Sequence, residues 1–311
     1  MADRSYAPVQ YILRRYRFAL LGAAVLAFFF CLPLNPLLAA PTETLEITGD
    51  GVTAPLTLTL AQLQEAPQYE HTYSVINTFP TKQWYVARGV KLRDLLDAAG
   101  ITPEAKLLRF VSNDGYEVTL TVKELLQDKR YYYPYLKDNH PSDGSVPGSS
   151  REAREVEPIL ALVSAEGEDD PAAMNGRDAL LLVIGQRDVT EQTNNLFLKY
   201  VSRLEVLTEE PLQWDAPKAD IDSGEVPAGT AVKLSNRKGD VDKIYYTTDG
   251  SEPTVHSAMY NKISSRWLLQ REGWELINLP IEVNEDVVIK AITIGPGRAD
   301  SEVVTFTYQA D

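Results

Sequence analysis

The sequence predicts an α+β domain followed by an all-β, immunoglobulin-like sandwich. Three observations predict it. In the first part of the chain, short apolar strands flank Gly, Asn and Asp turns and run into helix-capping signals. From Pro227 onward, alternating Val, Ile and Tyr strands are separated by turns such as Asp249-Gly250. Between the two lies Thr208 to Pro217, a polar stretch bearing two prolines that reads as a linker. The expected division is a segment 1–40, an α+β domain 41–208 and a sandwich 209–311.

The first forty residues set the compartment. Arg14, Arg15 and Arg17 precede an apolar run from Phe18 to Leu34, and Leu38-Ala39-Ala40 stands before Pro41, which is the order of an export signal. The run is at the short end for a bilayer span, and Pro33 and Pro36 end it. Residues 1–40 are therefore expected to be a signal peptide or an N-terminal membrane segment. The remainder is expected to be extracytoplasmic, periplasmic or on the cell surface, either released by cleavage or anchored by residues 18–34. Arg14-Arg15 leaves Sec and twin-arginine export both open.

Thr44 to Thr48 and Leu56 to Leu60 read as strands around Gly49-Asp50-Gly51, a hairpin signal. Leu107 to Val111 and Tyr116 to Leu120 repeat the pattern around Asn113-Asp114-Gly115. Each second strand ends in a capping box, Thr59 with Gln62 and Thr121 with Glu124, in which the threonine oxygen takes an orphan amide and the longer side chain reaches back. Leu92, Leu95, Leu96 and Ala99 fall on one helical face, and Gly100 supplies the left-handed residue that ends it. Tyr200 to Leu207 is the last strand before the linker.

Composition excludes several classes of function. The net charge is −14, and without the four Arg and one Asp of residues 1–40 it becomes −17, with 26 basic against 43 acidic residues. So acidic a surface repels nucleic acid and anionic lipid. Cys31 is the only cysteine and lies in the export segment, so the mature chain forms neither a disulfide nor a thiolate–metal bond. His71, His140 and His256 have no metal-ligand spacing, which speaks against zinc and haem chemistry. Glu166 to Pro171 and Lys137 to Glu157 read as solvated loops, and the carboxylate run lacks the spacing of a calcium loop.

Leu45 to Gly49, Leu58 to Leu63, Gly89-Val-Lys-Leu-Arg-Asp-Leu-Leu96, Ser112-Asn-Asp-Gly-Tyr116, Ile159 to Leu162 and Leu180 to Gln186 occur in an order that resembles the sulfite oxidase-type molybdopterin-binding domain, over roughly Thr44 to Thr208. The resemblance implies molybdopterin as cofactor, and molybdenum held by a cysteine thiolate on the segment that here reads Tyr73-Ser-Val-Ile-Asn-Thr78, where no cysteine stands. Ser74 or Asn77 replaces a soft thiolate poorly. The turns that the family places around its cofactor give the candidate binding residues: Asn77, Arg88, Asn113, Tyr116, Gln186 and Arg187, with no catalytic and no metal residue assigned. Arg88 and Arg187 are the preferred anion-binding pair over Arg109 and Arg177. Tyr131, Tyr132, Tyr133 and Tyr135 read as half-buried tyrosines with wet hydroxyls or as an aromatic wall.

Pro227 to Leu234, Ile244 to Thr254, Ser257 to Tyr260, Val288 to Ile292 and Ser301 to Tyr308 resemble the C-terminal β-sandwich of chitobiases and other glycosidases. Residues 261–278, with Trp267 and Trp274, read as an insertion. The resemblance implies an accessory module, and no carboxylate pair here has the setting of a glycosidase acid and nucleophile. The expected function is an exported ligand-binding or interaction protein that takes a small polar or anionic ligand and has no nucleic-acid partner. Two other readings stay open: a molybdopterin-dependent oxidoreductase with atypical ligation, and a surface protein that binds a cell-wall glycan or another surface protein through the sandwich.

Overall fold

The computed structural model describes residues 41–138, 146, 148–236, 241–263 and 278–311. The export segment, His140, Trp267 and Trp274 lie outside the described residues. In the first domain the strands are β1 (Thr44–Thr48), β2 (Leu56–Thr59), β3 (Tyr69–Ile76), β4 (Lys82–Lys91), β5 (Leu107–Ser112), β6 (Glu117–Thr121), β7 (Tyr131–Tyr132), β8 (Arg154–Glu155), β9 (Ile159–Glu166), β10 (Leu181–Val183) and β11 (Val201–Leu207). Its two α-helices are short, α1 (Leu60–Glu65) and α2 (Leu92–Ala98), so this part of the chain is mostly β.

Two sheets carry the domain, in the orders β2-β1-β11-β5-β6 and β10-β9-β4-β3. Every pairing within them is antiparallel except β1 with β11. The main core gathers Leu45 and Ile47 of β1, Leu108 and Phe110 of β5, Leu204 and Val206 of β11, Leu95 and Leu96 of α2, and Leu160 and Leu182 from the second sheet. The neighbours of those last two, Ile159, Ala161, Leu181 and Val183, point the other way into a separate cluster with Tyr73, Val75 and Tyr85. Successive strand residues face opposite sides, so β9 and β10 are buried on both faces and carry unbroken apolar runs, Ile159 to Val163 and Leu181–Val183.

The expected elements form, with instructive differences. The Thr59 box closes as predicted: Thr59 Oγ1 accepts from Gln62 N at 3.3 Å, and Gln62 Oε1 accepts from Thr59 N at 2.8 Å. Gly100 ends α2 at φ 67°, with Ile101 N bonded to Leu96 O. Asn113-Asp114-Gly115 makes a tight turn, with Gly115 at φ 86° and Ser112 N donating to Tyr116 O at 2.9 Å. Gly49-Asp50-Gly51 does not. Ile47 pairs with Leu56, and the longer loop between them is held by Gly51 N on Val206 O at 3.0 Å. The Thr121 box keeps its bonds but opens a π-helical turn, Lys123–Gln127, instead of an α-helix.

In the second domain, β12 (Lys218–Ala219) pairs with β15 (Leu234–Ser235), and β14 (Thr230–Val232) pairs with β18 (Ile281–Val283). The larger sheet has the order β13-β20-β19-β16-β17, formed by β13 (Gly224–Val226), β16 (Lys243–Thr247), β17 (Ala258–Met259), β19 (Val287–Ile294) and β20 (Val304–Ala310). Val232, Ile244, Val283, Ile289, Ala291 and Tyr308 fill the core between these pieces. Asn278 closes the base of the insertion by exchanging two bonds with the backbone of Ile263, at 2.9 and 2.8 Å.

The stretch from Thr208 to Pro217 is not a free tether. Thr208 Oγ1 donates to Asp50 at 2.6 Å. Trp214 N donates to Ala299 O and Ala299 N to Leu212 O, both at 3.0 Å. Trp214 is 7% exposed, beneath the Arg298 guanidinium 4.8 Å from its ring centroid. The buried Trp214 ring and the backbone bridge of Gln213 to Ala299 dock this segment, which the prolines and charges around them concealed, while Leu212 stays exposed.

Candidate functional site

Ser74 stands on β3 in the segment where the resemblance puts the metal ligand, and its side chain is wholly buried. Its Oγ donates to Gln186 Oε1 at 2.5 Å and accepts from Tyr133 N at 3.0 Å. Gln186, also wholly buried, spends its amide on Glu191 O at 2.7 Å. Tyr73 donates its hydroxyl to Glu157 O at 2.7 Å, and Asn77 Oδ1 accepts from Phe79 N and Thr81 N, both at 2.8 Å. Buried polar groups must find such partners, and here the protein supplies them.

Beside this lies a buried ionic network. Arg187 Nε donates to Glu191 Oε1 at 2.8 Å, its Nη2 lies 2.7 Å from the same oxygen, and its Nη1 lies 3.3 Å from Asp128 Oδ2. Arg130 donates to Glu124 O and Gly185 O, both at 2.8 Å, and lies 3.6 Å from Glu191 Oε2. Burial alone would raise the Glu191 carboxyl, but the Arg187 and Arg130 guanidiniums hold it below the ordinary value. Glu124 goes the other way: burial raises it against the pull of the same two arginines. Burial likewise raises Asp300, which Lys123 and Arg187 oppose.

The six candidate residues do not share one concavity. Gln186 and Arg187 adjoin and belong to the buried network. Arg88 is exposed on β4, pairs with Glu70 at 3.6 Å and lines a hollow with Leu60, Gln64 and Gln68. Arg187 lines grooves between the two domains with Lys123 and Asp300. Asn113 and Tyr116 sit at the tip of the β5–β6 hairpin, Tyr116 being 67% exposed. The preferred pair, Arg88 and Arg187, lines different hollows, and each arginine has its own carboxylates. Of the other two, Arg109 pairs with Glu205.

Sequence reasoning missed Arg130, Glu124 and Glu191 as network members. The only signal was Glu124 in a capping box, and nothing local showed that the box would also receive Gly297 N, at 2.9 Å, from the β19–β20 loop. Gly297 has φ 68°, and a Cβ there would lie 2.4 Å from Thr119 O, so this close approach requires glycine. Two further bonds join the domains: Gln192 Nε2 to Lys262 O at 2.6 Å, and His256 Nδ1 with Asp188 Oδ2 at 3.1 Å.

Two stretches of the chain match family models. Residues 35–132 match the family model of the oxidoreductase molybdopterin-binding domain, and residues 221–305 match that of the chitobiase/beta-hexosaminidase C-terminal domain. The chain thus carries a molybdopterin-binding oxidoreductase-like domain followed by a β domain. Among solved structures, the sulfane dehydrogenase SoxCD from Paracoccus pantotrophus is similar at 13% identity over 86% of this chain and 78% of that one, with a TM-score of 0.36. No curated protein sequence matches the chain.

Proposed function

We propose that this is an exported ligand-binding or interaction protein, in which an α+β domain of the molybdopterin-binding type has lost its metal and is coupled to an immunoglobulin-like sandwich. The observation that carries the reading is Ser74, whose hydroxyl is committed to Gln186 and Tyr133 N where the resemblance calls for a thiolate. The resemblance calls for a soft anionic thiolate facing open space, and a buried, doubly bonded hydroxyl is neither soft nor available. The residues present do not fit the group, and residues 41–311 contain no cysteine to replace them. Among the described residues no cluster of His, Cys, Asp or Glu is arranged to hold a metal.

The export reading rests on the charge and apolar order of residues 1–40. The sandwich reading rests on a five-stranded sheet and two strand pairs closing over one apolar core. Protein purified from its native host is expected to contain far less than one molybdenum per chain by elemental analysis and to show no sulfite oxidation. Stoichiometric molybdenum with turnover would overturn the reading in favour of an oxidoreductase with atypical ligation.

A further inference from the structure

We infer that a concavity on the first domain, between the start of α2 and the segment after β6, binds a hydrogen-phosphate group. The site deepens the ligand-binding reading above and rests on it for its biological use. Its lining includes Tyr69, Lys91, Arg93, Lys129, Arg130 and Glu157. In a chain with 44 acidic and 30 basic residues, four cations around one hollow reverse the prevailing charge.

The charges there are unequally spent. Asp128 and Glu155 also line the hollow, but Lys123 and Arg187 hold the first and Lys129 holds the second. Lys91 lies 5.1 Å from the Tyr69 ring centroid, and Arg93 donates to Leu126 O at 2.7 Å. Among the described residues neither forms an ion pair. Arg130 is 2% exposed, and its Nη2 has no hydrogen-bond partner. A buried guanidinium N–H without an acceptor is the costly exception in folded proteins, and it gains most from an anion's approach. These features are independent: two unpaired cations at the rim, and an unsatisfied donor on a buried residue of the same lining.

The carboxylate of Glu157 sets the ligand's chemistry. It forms no ion pair among the described residues, and a fully deprotonated anion would meet its repulsion. Hydrogen phosphate still carries a proton at neutral pH and can donate it to that carboxylate while its other oxygens accept from Lys91 and Arg93. Sulfate has no such proton. That proton singles out free phosphate, because a monoester, with a second pKa of about 6, is mostly fully deprotonated at neutral pH.

Titration calorimetry of the purified full chain tests this with inorganic phosphate, glycerol 3-phosphate and sulfate. Saturable binding of phosphate is expected, with sulfate weaker and the Lys91→Gln/Arg93→Gln variant weaker by about tenfold or more. Lys290→Gln, on β19 of the sandwich and outside the hollow, is the control and should bind as the parent does. Glycerol 3-phosphate should bind more weakly than free phosphate at neutral pH, and tighter binding of the ester would overturn the assignment to hydrogen phosphate. Glu157→Gln should narrow the preference for phosphate over sulfate. Absence of phosphate binding, or binding unchanged in the double variant, overturns the site. Either result leaves the metal-free reading standing, since molybdenum content decides that separately.

Discussion

Glu124 Oε2 accepts a hydrogen bond from Thr121 N at 3.0 Å and another from Gly297 N at 2.9 Å, so one carboxylate both caps a turn of the first domain and receives the sandwich. Glu124→Ala removes the cap, worth about 1 kcal/mol, and leaves a buried amide without an acceptor at about 1–3 kcal/mol more. Urea unfolding should therefore show a loss of about 2–4 kcal/mol for Glu124→Ala. Glu124→Gln, which keeps an accepting oxygen, should lose less. Equal midpoints for Glu124→Ala and the parent would show that the contact contributes nothing in solution.

The buried network makes opposite contributions to pH dependence through Glu191 and Glu124. Glu191 is held below the ordinary glutamate value of 4.5, so the stability it brings is present above that pH and is lost as pH falls through its folded value. Glu124 is raised above 4.5, so its contribution is greatest below that value and is lost as pH rises through the raised one. Thermal melts across this range should show a flatter acid limb for Glu191→Gln and a flatter limb on the neutral side for Glu124→Gln. Removing Glu191 also leaves buried Arg130 without a carboxylate and Arg187 with Asp128 alone, so Glu191→Gln should cost about 3–5 kcal/mol at neutral pH. Identical pH profiles for the two variants would contradict the assignment.

The elements specified by neighbouring residues were legible in the sequence. Thr59 with Gln62, Gly115 in its turn and Gly100 after α2 all act within a few residues, where propensity and capping decide. The candidate site was legible only in part, because its partners are distant in sequence. Ser74 meets Gln186, Arg130 meets Gly185, and Glu124 meets Gly297. Arg88 and Arg187 looked alike as arginines next to family segments, yet Glu70 claims one and Glu191 and Asp128 claim the other. The linker misled for a related reason: a Trp between prolines reads as a loop until a partner such as Ala299 is in place.

Ser74 offers a sharper test of the proposal that its hydroxyl closes the position the resemblance gives to a metal ligand. Ser74→Ala leaves Gln186 Oε1 and Tyr133 N unpartnered in a dry site, at about 1–3 kcal/mol each before relaxation. The variant should melt several degrees lower and show faster amide exchange at Tyr133. A melting temperature like the parent's would mean that the hydroxyl is not needed there, and the argument that it is committed would fail.

The domain boundary proposed at residue 208 can be tested by separation. The apolar clusters of residues 41–208 and of residues 209–311 share no residue, and each part exceeds the size at which a lone core becomes marginal. The cut leaves the Leu212 and Trp214 bonds to Ala299 inside the second fragment. Each fragment expressed alone should give a cooperative melt and dispersed amide resonances, and an unfolded spectrum from either would show that the halves depend on one another. The first fragment should be the less stable relative to the intact chain, because Glu124, Arg187 and Glu191 gain water where the sandwich lay. The same substitution then serves as a probe of coupling. Glu124→Ala should destabilise the isolated 41–208 fragment by less than it destabilises the full chain, since in the fragment no Gly297 amide is stranded. If the two losses are equal, the sandwich draws nothing from Glu124, and its attachment must rest on Gln192 and Asp188 instead.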